Sequence, residues 1–181
     1  MAMSRKISNV WVLYAPPKNP LMEPIFREQR VCPKKGWRLI PRDLHNLQGA
    51  LSRHLREGGS LLYLLDTPLP GPMLPFLGLT SPTALAPYQM AARQGAPLIP
   101  LKCQFQRKGR HLQIEAQQPI FADGKGAEAA QVLATQMNAV YSDWIRERPT
   151  QWYWTGKFFE PNAQWEARKQ RSAQSSNSTS Q

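Results

Sequence analysis

The sequence predicts an α/β protein: a mostly parallel sheet layered with helices, with a hairpin at one edge. Short runs rich in β-formers alternate with stretches whose apolar residues recur every three or four positions. The run Ser60-Leu-Leu-Tyr-Leu-Leu65 is apolar on both faces, as strands of parallel sheets are. The chain also carries 17 prolines in 181 residues, well above the usual share of about 5%, and these interrupt it too often for a long helical bundle.

Val10-Trp-Val-Leu-Tyr14 reads as a first buried strand, stopped by Pro16-Pro17, and Arg38-Leu-Ile-Pro41 as a second. Leu44, Leu47, Leu51 and Leu55 place one apolar stripe on a helix with Asp43 as its N-cap and Gly58-Gly59 as its end. The strand Ser60–Leu65 follows, with Asp66 at its carboxyl end, where ligands bind in open α/β sheets. Leu69 to Leu77 reads as an apolar, proline-rich loop, either packed or available to an acyl chain or membrane.

Ser81 to Gly95 reads as a helix with proline in its first turn and glycine just past its end. The segments 97–106 and 111–116 alternate apolar with polar and form a hairpin through Arg107-Lys-Gly-Arg110. A long helix spans about Gly126 to Arg148, with Val132, Leu133, Met137, Val140, Tyr141, Trp144 and Ile145 on one side. Residues 1–165 are expected to form a single α/β domain. Residues 166–181, without an apolar side chain larger than alanine, are expected to be a disordered tail.

The formal net charge is +11, which selects anionic partners. Nucleic acid, an anionic membrane surface and an acidic carrier protein all satisfy it. No recognisable module interleaves the basic pairs Lys34-Lys35, Arg107-Lys108 and Arg168-Lys169 with aromatics, so nucleic acid ranks behind the other two. Cys32 and Cys103 stand far apart without ligand-spaced partners, so the spacing supports no metal site and no disulfide scaffold. The apolar run at Val10–Tyr14 is too short for a signal peptide. Six prolines between Pro68 and Pro87 argue against a membrane-spanning helix there.

No P-loop, G-x-S-x-G or Rossmann fingerprint occurs. His45 and His54 lie on the leucine-rich helix and His111 opens a hairpin strand. Each reads as a solvated or packing residue rather than a base, because no partner is placed beside it.

The order of features carries more information. Gly59-Ser-Leu-Leu-Tyr-Leu-Leu-Asp66, Pro72-Met-Leu-Pro-Phe-Leu-Gly78, Pro82-Thr83, Met90-Ala91 and Gly95-Ala-Pro-Leu-Ile-Pro100 follow one another. Asn138, Ile145-Arg146, Pro149 and Gln151-Trp-Tyr-Trp154 come later, and Tyr14-Ala-Pro with Asn19-Pro-Leu21 precedes them. Taken together, from about Val10 to Phe159, this series resembles the C-terminal half of the bacterial lipid A (lauroyl and myristoyl) acyltransferases, in divergent form.

The resemblance implies part of a glycerolipid-acyltransferase-like layered fold. It implies transfer of a fatty acyl group from acyl carrier protein to a hydroxyl of a lipid A precursor, with no further cofactor. It also implies peripheral contact with the cytoplasmic face of the inner membrane, or with another anionic lipid. By the same resemblance Asp66, Pro75, Phe76 and Gly78 are the substrate-binding candidates. A strand-end cap or turn acceptor is the other reading of Asp66.

The departures are chemical. The family's base, a His followed five residues later by an acid, belongs upstream of Val10. Five residues after His45, His54 and His111 stand Ala50, Gly59 and Ala116, so no catalytic residue is assigned. The family's Tyr-Arg-Pro arginine is Ala15, and its closing His is Gly156. General-base catalysis contributes roughly 10²–10⁴-fold, so an N-terminally short, inactive homologue or lipid-binding accessory chain is the alternative expectation. The Trp-rich stretch from Gln151 to Phe159 reads either as core packing or as an interfacial anchor.

Overall fold

The computed structural model describes residues 9–17, 19–30, 36–65, 69–106, 111–154 and 159. The chain divides into two compact units, Met1–Leu64 and Leu65–Gln181. Asp66, the Arg107–Arg110 connection and the expected tail lie outside the described residues.

The first unit is a parallel sheet. Its elements are β1 (Val10–Tyr14), α1 (Glu23–Arg30) preceded by a 3₁₀ turn, β2 (Trp37–Pro41), α2 (Leu47–Arg56) and β3 (Ser60–Leu62). The strand order is β2-β1-β3, with Val10 paired to both Trp37 and Ser60. Val10 and Tyr14 are buried at the two ends of the central strand. The third strand is shorter than the expected Ser60–Leu65: hydrogen bonding stops at Leu62, and Leu64 is well exposed.

Helix α2 also begins later than expected. Leu44 N–H donates to Pro41 O and Leu47 N–H to Leu44 O, so the residues after Asp43 form turns. The cap is Asn46 in the left-handed region at φ 54°, which corrects the assignment of Asp43. Within the stripe Leu51 is completely buried. The helix closes as a Schellman motif, with Gly59 N–H on His54 O, Gly58 N–H on Leu55 O, and Gly58 at φ +80°.

The second unit contains β4 (Met73–Phe76), β5 (Leu79–Pro82), α3 (Ala86–Gln94), β6 (Leu101–Phe105), β7 (Leu112–Ala116) and α4 (Ala127–Glu147). The strands form two antiparallel hairpins, β4-β5 and β6-β7. Strand β4 falls in the segment expected to be a loop, and β5 takes up Ser81 and Pro82, expected to open a helix that begins only at Ala86. Pro75, which has no N–H to donate, is tolerated in β4 because the two-stranded hairpin leaves each strand an edge, and Leu77 and Gly78, both at positive φ, make the two-residue turn. Leu74, Tyr88, Ala91, Ala130, Leu133, Ala134 and Met137 form the core, where alanines let α3 and α4 approach closely. On α4 the buried face also takes in Asn138 and Ser142, whereas Val132, expected inside, is half exposed. The structure is thus mixed α/β, with a three-stranded parallel sheet and two small antiparallel ones.

Candidate functional site

Two places gather the residues singled out in the sequence. The first is the carboxyl end of the parallel sheet. The chain leaving β1 runs through α1 to β2 on one side, while β3 pairs on the other, so the β1/β3 boundary has the geometry of a topological switch point. Tyr14 ends β1 there. Its hydroxyl donates to Glu23 Oε1, and its carbonyl accepts from Arg42 N–H at 2.9 Å.

The Glu23 hydrogen bond, burial and the Glu23 charge together raise the Tyr14 pKa above its usual value, against the opposing charge of Arg27. Arg27 stands four residues after Glu23 on the same helix, so a cation lies near the strand end although position 15 is alanine. Glu23 Oε2 is buried with no partner among the described residues. Tyr63, just past β3, is pushed by burial to a pKa of about 12 and is a neutral hydroxyl. Asp66, three residues further, lies outside the described residues.

The second place is the knot between the β4-β5 turn and α4. Asn138 Nδ2 donates to Pro75 O at 3.2 Å and to Thr83 Oγ1 at 3.1 Å. Thr83 Oγ1 in turn donates a hydrogen bond to Ser81 O at 3.1 Å. Ser142 Oγ accepts from Leu77 N–H at 3.0 Å and donates to Asn138 O at 2.7 Å. Two polar residues one turn apart thereby hold a turn whose leucine is in a conformation L-residues avoid.

Pro75 contributes its carbonyl. Phe76 is buried against Ile145 and meets Trp152 edge-on at 5.5 Å, and Gly78 supplies φ +86°. Asn138, Thr83, Ile145 and Trp152, noted in the sequence as separate blocks, thus meet Pro75, Phe76 and Gly78 in one cluster. Gln151 acts like a strand neighbour: Phe105 N–H donates to its Oε1 at 3.0 Å and its Nε2 donates to Phe105 O at 3.2 Å. Lys102 pairs with Glu147 and lies 5.7 Å over the Trp144 ring.

The histidines follow their structural reading. His54 is buried, stacks on Trp11 at 4.1 Å and shares a 3.1 Å hydrogen bond with Ser60 O. A Cβ on Gly59 would meet its ring at 2.2 Å, so the Gly59 match is explained by packing. His45 and His111 are exposed. Sequence reasoning missed Glu23, Arg27 and Ser142. The i,i+4 spacing of the first pair is visible in the sequence, but nothing there ties them to Tyr14.

A parallel sheet with a polar group at its carboxyl end defines an α/β protein of the kind that receives ligands at the strand ends. The chain belongs to the bacterial lipid A biosynthesis acyltransferase family, whose family model matches residues 1–160. A search of curated proteins gave no match. No helix among the described residues is long and apolar enough to cross a membrane.

Proposed function

We propose that the chain handles the substrates of acyl transfer in lipid A assembly, moving a fatty acyl group from acyl carrier protein to a hydroxyl of a lipid A precursor. The place of work is the cytoplasmic face of the inner membrane, with the Tyr14–Glu23 pair at the end of β1 as a polar group of the site and Asp66 as the substrate-binding candidate that the family resemblance implies. The family match over residues 1–160 carries this reading. The strand order β2-β1-β3, which puts a topological switch point between β1 and β3, supports it, as does the charge of +11, which suits an acidic carrier and phosphorylated lipid.

A specific observation favours a second reading, that of a lipid-binding accessory chain without turnover: His54 is used up in packing, and no histidine in the sequence has an acid five residues later. The two readings part in one experiment. The purified chain is incubated with acyl-acyl carrier protein and lipid A precursor, and the lipids are weighed by mass spectrometry. Product heavier by one acyl chain, lost in Asp66→Ala, supports transfer. Co-purified lipid without product supports the accessory role, and neither lipid nor product contradicts both.

A further inference from the structure

The β6-β7 hairpin is built inside out. Its register pairs Leu101 with Ala116, Cys103 with Ile114 and Phe105 with Leu112 on one face, and Lys102 with Glu115 and Gln104 with Gln113 on the other. A half-buried hairpin ordinarily turns its apolar face to the core. Here Gln104 is 6% exposed and Lys102 is engaged with Glu147 and Trp144, whereas Phe105 and Ile114 are each 60% exposed and Leu112 is 53% exposed. Ile99 and Phe121, which flank the strands in sequence, are exposed as well. Among the described residues nothing covers Phe105, Leu112 and Ile114, and exposed apolar surface of this kind marks a contact site.

We infer that this face of the β6-β7 hairpin docks on an anionic lipid bilayer, burying Phe105, Leu112 and Ile114 among the acyl chains. Gln151 is bonded to Phe105 at the edge of β6, and Tyr153 and Trp154, two and three residues further along the chain, are both more than half exposed. Tyr and Trp at the rim of an apolar patch suit the headgroup layer, where their rings have one apolar and one polar side. The charge agrees: three of the four residues connecting the strands are cations in the sequence, on a chain of net +11. An anionic bilayer attracts such a chain, whereas two copies of it repel each other. The inference deepens the membrane part of the reading above and rests on it for the choice of membrane, but not for any turnover.

Cys103 lies on the outward face and is exposed, so it can report directly. In a Cys32→Ser chain, an environment-sensitive fluorophore on Cys103 is followed as vesicles of phosphatidylethanolamine and phosphatidylglycerol are added. A blue shift is expected, weaker in high salt and absent with phosphatidylcholine alone. In co-sedimentation, unlabelled Phe105→Ser/Ile114→Ser is expected to bind at least about tenfold more weakly, since two apolar side chains are withdrawn. Leu21→Ser/Ile25→Ser, which removes exposed apolar surface from the first unit, is expected to bind as the wild type does. No blue shift with anionic vesicles, or equal loss in both double variants, overturns the proposal. So does a dimer by light scattering that dissociates in Phe105→Ser/Ile114→Ser without vesicle binding, which would make a second copy the occupant. Failure of acyl transfer with these results intact leaves the docking surface standing, so the two claims fail separately.

Discussion

Asn138 shows how much can rest on one side chain. Its amide satisfies Pro75 O and Thr83 Oγ1 inside the protein, so Asn138→Ala leaves buried polar groups without their donor. We expect a loss of about 1–3 kcal/mol in chemical denaturation, with Ser142→Ala following in the same direction because Leu77 N–H loses its acceptor. Gly78→Ala meets no atom, yet its φ of +86° should cost about 1 kcal/mol in the same measurement.

Tyr88, buried in the second core, titrates near pH 12 because burial disfavours its charged form. Its unfolded pKa is about 10, so the contribution is fully present below pH 10 and is lost as pH rises toward 12. Stability should therefore fall by roughly 2–3 kcal/mol over that window, and Tyr88→Phe should flatten the decline.

At the scale of elements, Gln151 substitutes for a strand on the outer edge of β6. Gln151→Ala is expected to leave the fold intact and to speed hydrogen exchange at the Phe105 amide. Unchanged exchange there would mean that the edge is protected by something else. Helix α3 ends like α2, with Ala96 N–H on Ala91 O and Gly95 at φ +62°, the arrangement its Gly95 announced in the sequence.

The elements legible in the sequence are those whose burial follows a simple period: β1 from Val10 to Tyr14, α2 around Leu51, and α4 nearly to the residue. Those that escaped depend on partners. The β4-β5 hairpin is hidden in a proline-rich run because its turn puts Leu77, rather than Asn or Asp, in the left-handed region, held there by Ser142 sixty-five residues away. Helix α1 has exposed Leu21 and Ile25 around its start and no apolar stripe to announce it. Of the substrate-binding candidates, Pro75, Phe76 and Gly78 were singled out through their family blocks alone. Their roles as carbonyl acceptor, core ring and turn residue required Asn138, Trp152 and φ to be seen.

Across the whole molecule, membership of the lipid A acyltransferase family sits with a three-stranded parallel sheet in one unit and a hairpin with exposed apolar side chains in the other. The charge of +11 favours anionic partners, in keeping with both proposals made above. His54 is taken up by stacking on Trp11 and by its hydrogen bond with Ser60 O. The decisive measurement is the mass of a lipid A precursor after incubation with the purified chain and acyl-acyl carrier protein. We expect precursor held by the protein and a species heavier by one acyl chain; precursor that neither binds nor gains mass would contradict a role in lipid A acylation.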